Sequence, residues 1–245
     1  MKCIILAAGY ATRLYPLTEN FPKPLLDVQG KSILEWLVKD VETIEQIDEV
    51  IIVSNHKFYQ HFLLWKSTLD TRLTVTVIDD GSTTNDNRLG AVRDIGFAVE
   101  KCCIEEDILV MAGDNLLDFS IKGFVDFYNR KKAACIMRHY EPSVERLRRT
   151  GVAVVDEDSR VLLMQEKPRQ PQSNWAVPPF YIYPYGDLKY VLEGINSKLC
   201  GIDAPGSFIA WFCQKADVYA YLMPGKRYDI GNMDSYQYVQ SIYKK

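Results

Sequence analysis

The opening stretch, residues 1–26 (MKCIILAAGYATRLYPLTENFPKPLL), constrains the fold more than any other part of the chain. Cys3-Ile4-Ile5-Leu6-Ala7-Ala8 is an unbroken apolar run that ends in Gly9. A strand with one wet face alternates apolar and polar residues, whereas a strand buried on both faces of a parallel sheet does not. The run therefore predicts a β-strand inside an α/β sheet. Behind it, Pro16, Pro22 and Pro24 stiffen the loop by fixing their own backbone angles. The same loop carries two cations, Arg13 and Lys23, ten positions apart. A glycine turn beyond a buried strand lets a ligand approach backbone N–H groups, and two cations beside it suit a polyphosphate. On these residues alone, a strand followed by a stiff loop with two solvated charges is an equally good account.

Periodicity carries the α/β pattern onward. Ile33, Leu34, Leu37, Val38, Val41 and Ile44 recur at helical spacing behind Ser32, an N-cap residue type, so 32–47 predicts a helix. Residues 49–54 (EVIIVS) read as a second buried strand, 57–69 as a helix and 73–78 as a third strand. This alternation predicts a parallel sheet with covering helices. Residues 79–88, DDGSTTNDNR, are too polar for a core and lie beyond a strand's C-terminal end, where open α/β sheets bind ligands. A helix over 89–99, a strand over 107–112, a helix over 120–132 and a strand over 133–138 follow. The pattern then changes. A hairpin is expected over 151–155 and 161–164, turning at Asp156-Glu157-Asp158-Ser159, and an aromatic strand over 180–185. Helices over 186–198 and 207–214, a strand over 218–223 and a terminal helix from Met233 complete the reading.

The bulk numbers exclude several classes. A formal net charge of −3 offers no basic face for nucleic acid. Six scattered cysteines contain no CxxC pair and no zinc spacing, so reduced thiols are expected. No run approaches the roughly 18 apolar residues of a membrane span. The apolar run after Lys2 is too short for a signal peptide, which makes a cytoplasmic protein the expectation.

Three places carry candidate chemistry. Asp114 closes the 107–112 strand with Asn115 beside it, which suits a hard cation that keeps its waters and bridges phosphates; a turn cap is the plainer alternative. Asp229, in Tyr228-Asp229-Ile230-Gly231-Asn232, can supply a second carboxylate to such an ion or form an Asx-turn. Glu166-Lys167-Pro168 sets a carboxylate that accepts from hydroxyls beside an ammonium that meets a phosphate, unless the two form a surface ion pair.

Leu6-Ala7-Ala8-Gly9-Tyr10-Ala11-Thr12-Arg13-Leu14-Tyr15-Pro16-Leu17-Thr18-Glu19-Asn20-Phe21-Pro22-Lys23-Pro24 resembles the signature of sugar-phosphate nucleotidylyltransferases, L-A-A-G-x-G-T-R-L-x-P-x-T-x-x-x-P-K-P. Only Ala11 departs from it, where the family usually has glycine. The later pieces follow in the family's order: Gly113-Asp114-Asn115, Gly151-Val152, Glu166-Lys167-Pro168 and Asp229-Ile230-Gly231. The resemblance implies a Rossmann-like mixed, mostly parallel sheet with covering helices and a small acceptor-side β lobe. It implies one catalytic domain over 1–245, with a nucleotide half over about 1–140 and an acceptor half over about 141–245.

It implies transfer of a nucleoside monophosphate from an NTP to a sugar 1-phosphate or similar phosphate monoester, with release of pyrophosphate. Leu6, Ala7, Ala8 and Gly9 line the nucleotide, with Asn87 or Gly90 at the family's base-reading position. Arg13 and Lys23 serve the triphosphate. Asp114 and Asp229 hold Mg²⁺, and Asn115, Gly151, Glu166 and Lys167 meet the acceptor. The implied partners are small molecules, with no nucleic acid or membrane, and a homo-oligomer is left open. Residues 85–91 lack the family's glutamine, which leaves the base open, and Trp175-Ala176-Val177-Pro178-Pro179-Phe180-Tyr181 departs from relatives at the acceptor strand. Two rivals remain. One is a choline-phosphate cytidylyltransferase-like enzyme, for which Trp175, Phe180, Tyr181 and Trp211 would supply an aromatic cage. The other is a catalytically silent regulatory homologue.

Overall fold

The computed structural model describes residues 1–243. The opening apolar run forms strand β1 (Lys2–Leu6) and is followed by two single-turn 3₁₀ segments, Thr12–Leu14 and Lys23–Leu25. Next come β2 (Asp27–Val28), β3 (Lys31–Ser32), α1 (Ile33–Val41), β4 (Glu49–Ser54), α2 (Tyr59–Thr68) and β5 (Thr74–Asp79). Then follow α3 (Ala91–Lys101), β6 (Ile108–Ala112), β7 (Asn115–Leu117), α4 (Lys122–Lys131), β8 (Ala134–Tyr140), α5 (Val144–Leu147), β9 (Gly151–Val155) and β10 (Val161–Glu166). The chain continues through β11 (Trp175–Val177), β12 (Phe180–Tyr183), α6 (Leu188–Ser197), α7 (Pro205–Phe212), β13 (Val218–Leu222), β14 (Arg227–Asp229) and α8 (Met233–Ile242). Every strand and helix expected from periodicity is present, with ends shifted by one or two residues, except that the helix expected over 32–47 stops at Val41. The short strands β2, β3, β7 and β14 and the one-turn helix α5 were not expected, because two to four residues are too few to show a period.

The chain divides into two compact units. One comprises Met1–Arg88, Ala112–Lys122 and the stretch from Pro224; the other comprises Leu89–Met111 and Gly123–Met223. The division crosses the chain four times, after residues 88, 111, 122 and 223.

In the first unit β1 pairs with β4, and β4 with β5, all parallel, in a register that sets Leu6 beside Val53 and Ser54 beside Asp79. Ser32 caps α1 as its sequence position predicted, accepting from the Glu35 N–H at 3.0 Å. A small core of Leu14, Leu26, Ile33, Leu116, Ile230 and Val239 joins the loop after β1 to β7, β14 and α8. That core holds the candidate site in place.

The second unit is a mixed sheet. β12 pairs antiparallel with β6 and β8; β11 pairs antiparallel with β8 and β9; β9 and β10 form the expected hairpin; β13 runs parallel to β8. The hairpin tip is an Asx turn in which Asp156 Oδ1 accepts from the N–H groups of Asp158 and Arg160. No helix among the described residues is long and apolar enough to cross a membrane.

Ala11 adopts φ 48°, ψ 39°, the left-handed region that glycine enters freely and L-residues enter at a cost of about 1–2 kcal/mol. Its carbonyl accepts from Thr18 Oγ1 at 2.8 Å and from the Leu14 N–H at 2.9 Å, which fixes the turn in that conformation. Replacing Ala11→Gly should therefore stabilise the fold by up to about 1 kcal/mol, net of the greater freedom of glycine in the unfolded chain. Urea unfolding of the two proteins measures this, and a loss of stability would refute the strain.

Candidate active site

β1 delivers the chain to a loop whose backbone is partly uncommitted. The Leu6 carbonyl accepts from the Gly113 N–H at 2.9 Å, the Ala7 N–H donates to Val53 O at 2.9 Å, and the Ala8 carbonyl accepts from Asn55 Nδ2 at 3.0 Å. These bonds fix the strand end. Among the described residues, the N–H groups of Gly9, Tyr10 and Ala11 donate to no protein atom. A cavity of about 250 Å³ opens here, lined by Leu6, Ala7, Gly9, Arg13, Lys23 and Asp114 among others. Arg13 is exposed and makes no hydrogen bond or ion pair among the described residues, so its guanidinium is available to an anion.

Lys23 is 9 % exposed, and its ammonium donates to Asp114 Oδ2 at 2.5 Å and to the Ile230 carbonyl at 2.8 Å. Asp114 Oδ1 accepts from Asn115 Nδ2 at 2.6 Å, and Asn115 Oδ1 accepts from Arg227 Nη1 at 2.5 Å. Arg227 Nη1 also lies 3.5 Å from Asp229 Oδ2. The β7/β14 pairing sets Asp229 opposite Asn115, and the Ile230 N–H donates to Asp114 O at 3.3 Å. Two residues remote in sequence, Asp114 and Asp229, are thereby brought to one place. Arg13 joins them: a β-carbon at Gly231 would stand 3.9 Å from Asp229 Oδ1 and 4.0 Å from both Arg13 Nη atoms. Burial pushes the Asp114 carboxyl up, but the charge and hydrogen bond of Lys23, with Arg227 beyond it, outweigh burial and hold it below the ordinary aspartate value.

In the second unit, Gly151 opens β9 directly opposite Glu166, the last residue of β10. Lys167 then takes φ 46°, which ends the strand, and its N–H donates to Thr150 O at 3.0 Å. The Glu166 carboxylate makes no hydrogen bond or ion pair among the described residues. Burial pushes its carboxyl above the usual glutamate value, opposed by Lys167 and reinforced by Asp203.

Other residues expected at the site are engaged elsewhere. The Asn87 amide is used within its own loop, accepting from the N–H groups of Thr83 and Thr84 at 3.0 and 2.9 Å and donating to Thr83 Oγ1 at 3.1 Å. Gly90 precedes α3 at φ 93°, and a β-carbon there would stand 2.7 Å from the Ile202 carbonyl, a contact that by itself accounts for glycine. Asn115, expected at the acceptor, is 1 % exposed with both ends of its amide bonded, so it orients Asp114 and Arg227. Arg227 was not singled out from the sequence; its only signal is that it stands two residues before Asp229.

The family described as Nucleotidyl transferase matches residues 2–245. A glucose-1-phosphate adenylyltransferase of Fervidobacterium nodosum is 29 % identical over 95 % of this chain and 59 % of its own length. A bifunctional protein GlmU of Methanococcus aeolicus is 32 % identical over 71 % of this chain and 38 % of its own. The chain thus spans about two fifths to three fifths of these curated relatives. Among solved structures, a putative glucose-1-phosphate thymidylyltransferase from Bacillus anthracis superposes with TM-score 0.82 at 22 % identity, covering 100 % of this chain and 98 % of that one. That likeness establishes the fold.

Because Asp114 is held below its ordinary value, its pairing contributes stability above the unfolded aspartate value of about 3.9, and the contribution is lost as pH falls through the lower folded value. The Asp114 side chain is 34 % exposed, so solvent screens the pair. Lys23→Met should cost about 1–2 kcal/mol at pH 7. The deficit should narrow as pH falls from about 4, where the aspartate of the unfolded chain protonates, through the lower value at which Asp114 protonates in the folded wild type. Denaturant melts from pH 7 to pH 3 read this directly, and a deficit independent of pH would remove Asp114 from the explanation.

Proposed function

Since this chain belongs to the nucleotidyl transferase family, we propose that it moves a nucleoside monophosphate from an NTP to a sugar 1-phosphate and releases pyrophosphate. The observation that carries the reading is the convergence of Arg13, Lys23 and Asp114 on a cavity floored by the glycine turn after β1, with Asp229 brought beside them by the β7/β14 pairing. The uncommitted N–H groups of that turn and the Arg13 guanidinium receive the triphosphate. Glu166 accepts hydroxyl hydrogen bonds from the sugar, and the exposed Lys167 ammonium pairs with its phosphate.

In the reaction an acceptor phosphate oxygen bonds to the α-phosphorus while the bond from that phosphorus to the bridging oxygen of pyrophosphate breaks. The attacking oxygen is already anionic, so no general base is required. The protein's work is to align two anions that repel one another and to neutralise charge on the α-phosphoryl group in flight. Arg13 supplies mobile positive charge for this, and Lys23 supplies fixed positive charge.

Asp114 and Asp229 fit a magnesium ion. An ionised carboxylate offers about four lone-pair sites, and Asp114 commits two of them to protein donors. Asp229 is half exposed, with one cation at 3.5 Å. Among the described residues no group of three His, Cys, Asp or Glu gathers, so two carboxylates with water and phosphate oxygens make up the donor set. When bound, the ion supplies charge neutralisation to the phosphates. The cytoplasm, where nucleoside triphosphates are made, is the expected location.

The aromatic residues favour a sugar over phosphocholine. Phe180 and Tyr181 are 0 % and 3 % exposed and belong to the core. The Arg138 guanidinium lies 4.3 Å over the Trp175 ring, and the Lys215 ammonium lies 5.6 Å over Trp211. Protein cations already lie over one face of each indole, which weighs against a cage for a quaternary ammonium built from these four residues.

Pyrophosphate release, assayed with each common NTP against a panel of phosphate monoesters including glucose 1-phosphate, mannose 1-phosphate and phosphocholine, tests the proposal. Turnover with a sugar 1-phosphate that is abolished by chelator and restored by Mg²⁺ is expected; silence with every pair favours the regulatory reading. Asp114→Asn should lower kcat by about a hundredfold or more while the fold stays intact, and a near-normal rate would refute the metal role.

A further inference from the structure

The Glu166 carboxylate lies on a bed of two glycines from different elements. One is Gly151, across the β9/β10 hairpin, where an added β-carbon would stand 3.3 Å from Glu166 Oε2 and would overlap Met164 Cε. The other is Gly206, the second residue of α7, a helix that packs against β10. A β-carbon at Gly206 would overlap Glu166 Oε2 outright, at 3.1 Å from Met164 Cε and 3.2 Å from Glu166 Cδ. Alanine is the better helix former, by up to about 1 kcal/mol in a helix interior, and nothing in the backbone of Gly206 demands glycine, since its φ is not positive. The absent side chain is explained by the carboxylate that fills its place.

We infer that Gly206 is a positioning residue for the acceptor: by leaving room at the start of α7, it seats the Glu166 carboxylate beside Gly151, where it meets the hydroxyls of a sugar phosphate. This rests on the reading of Glu166 as an acceptor ligand. Three features support it. The carboxylate is partly buried and makes no hydrogen bond or ion pair among the described residues, so the hydration it has lost is not replaced by protein donors and a ligand's hydroxyls can replace it. The atom that a Gly206 methyl would displace is the far end of a flexible side chain, so the displacement moves Glu166 and spares the backbone. The two charged residues felt at the carboxylate, Lys167 and Asp203, lie on the segments that flank it, directly after β10 and just before α7. The first turn of α7 is therefore a wall of the acceptor subsite, and a side chain at position 206 decides where its hydroxyl acceptor stands.

Two measurements on Gly206→Ala test this. The first needs no substrate: a carbon-13 titration of the Glu166 carboxyl by NMR. In the wild type the midpoint should lie above the ordinary glutamate value, and in Gly206→Ala it should fall towards that value of about 4.3 as the carboxylate swings into solvent. The thermal midpoint should be unchanged or higher. The second measurement uses glucose 1-phosphate as the probe acceptor at saturating UTP. KM for glucose 1-phosphate should rise about tenfold with KM for UTP unchanged, and Gly206→Ala should add nothing in a Glu166→Ala background. An unshifted titration, or an additive effect in the double variant, overturns the positioning role alone. If Glu166→Ala leaves the KM for glucose 1-phosphate untouched, the acceptor reading of Glu166 fails and takes this inference with it.

Discussion

The ion pair between Lys23 and Asp114, 2.5 Å long, is the interaction on which the first unit's site depends. It joins the proline-stiffened loop after β1 to the turn after β6, and through the Ile230 carbonyl it reaches the segment that leads into α8. A lysine that is 9 % exposed must have its charge met by protein groups, because desolvating an ammonium without a partner is prohibitive. Such a pair yields little net stability, since desolvation offsets most of the attraction, but it specifies where its members stand. Asn115 and Arg227 extend the same logic, so that charges of alternating sign run from Lys23 through Asp114 and Arg227 to Asp229. A proposed metal site built this way is oriented before any ion arrives.

Two partly buried carboxylates, Asp114 and Glu166, respond to their surroundings in opposite directions. Asp114 is held down because cations surround it, whereas Glu166 is pushed up because burial dominates and one neighbouring lysine does not compensate. The difference matches the proposed division of labour. A carboxylate that stays ionised suits a cation, and one that lacks protein donors suits a ligand's hydroxyls. The first is defined by side chains arriving from distant segments. The second is defined by side chains that are missing, at Gly151 and Gly206.

Backbone conformation contributes at both places. Ala11 and Lys167 hold left-handed conformations without being glycine, and each is fixed by hydrogen bonds from its surroundings. Ala11 is the one departure from the family signature in the opening stretch, and the strain falls on Ala11 itself, at φ 48°; Gly9 does not relieve it.

β1, the parallel run through β4 and β5, the Ser32 cap of α1 and the β9/β10 hairpin follow from local pattern alone, because periodicity and capping are local properties. The sequence also supplied the candidate residues Arg13, Lys23, Asp114, Glu166 and Asp229 as motifs in order along the chain. Tertiary structure decided what those residues touch. Local pattern does not say that Asn115 turns inward to orient Asp114, or that Asn87 spends its amide on its own loop. Nor does it say that Gly90 answers to the Ile202 carbonyl, or that Arg227 bridges Asn115 and Asp229. β7 and β14, which bring Asp114 and Asp229 together, span only three residues each and exist because they pair with each other across more than a hundred residues of chain. Contacts of that kind depend on the packing of remote segments, and no window of sequence contains them.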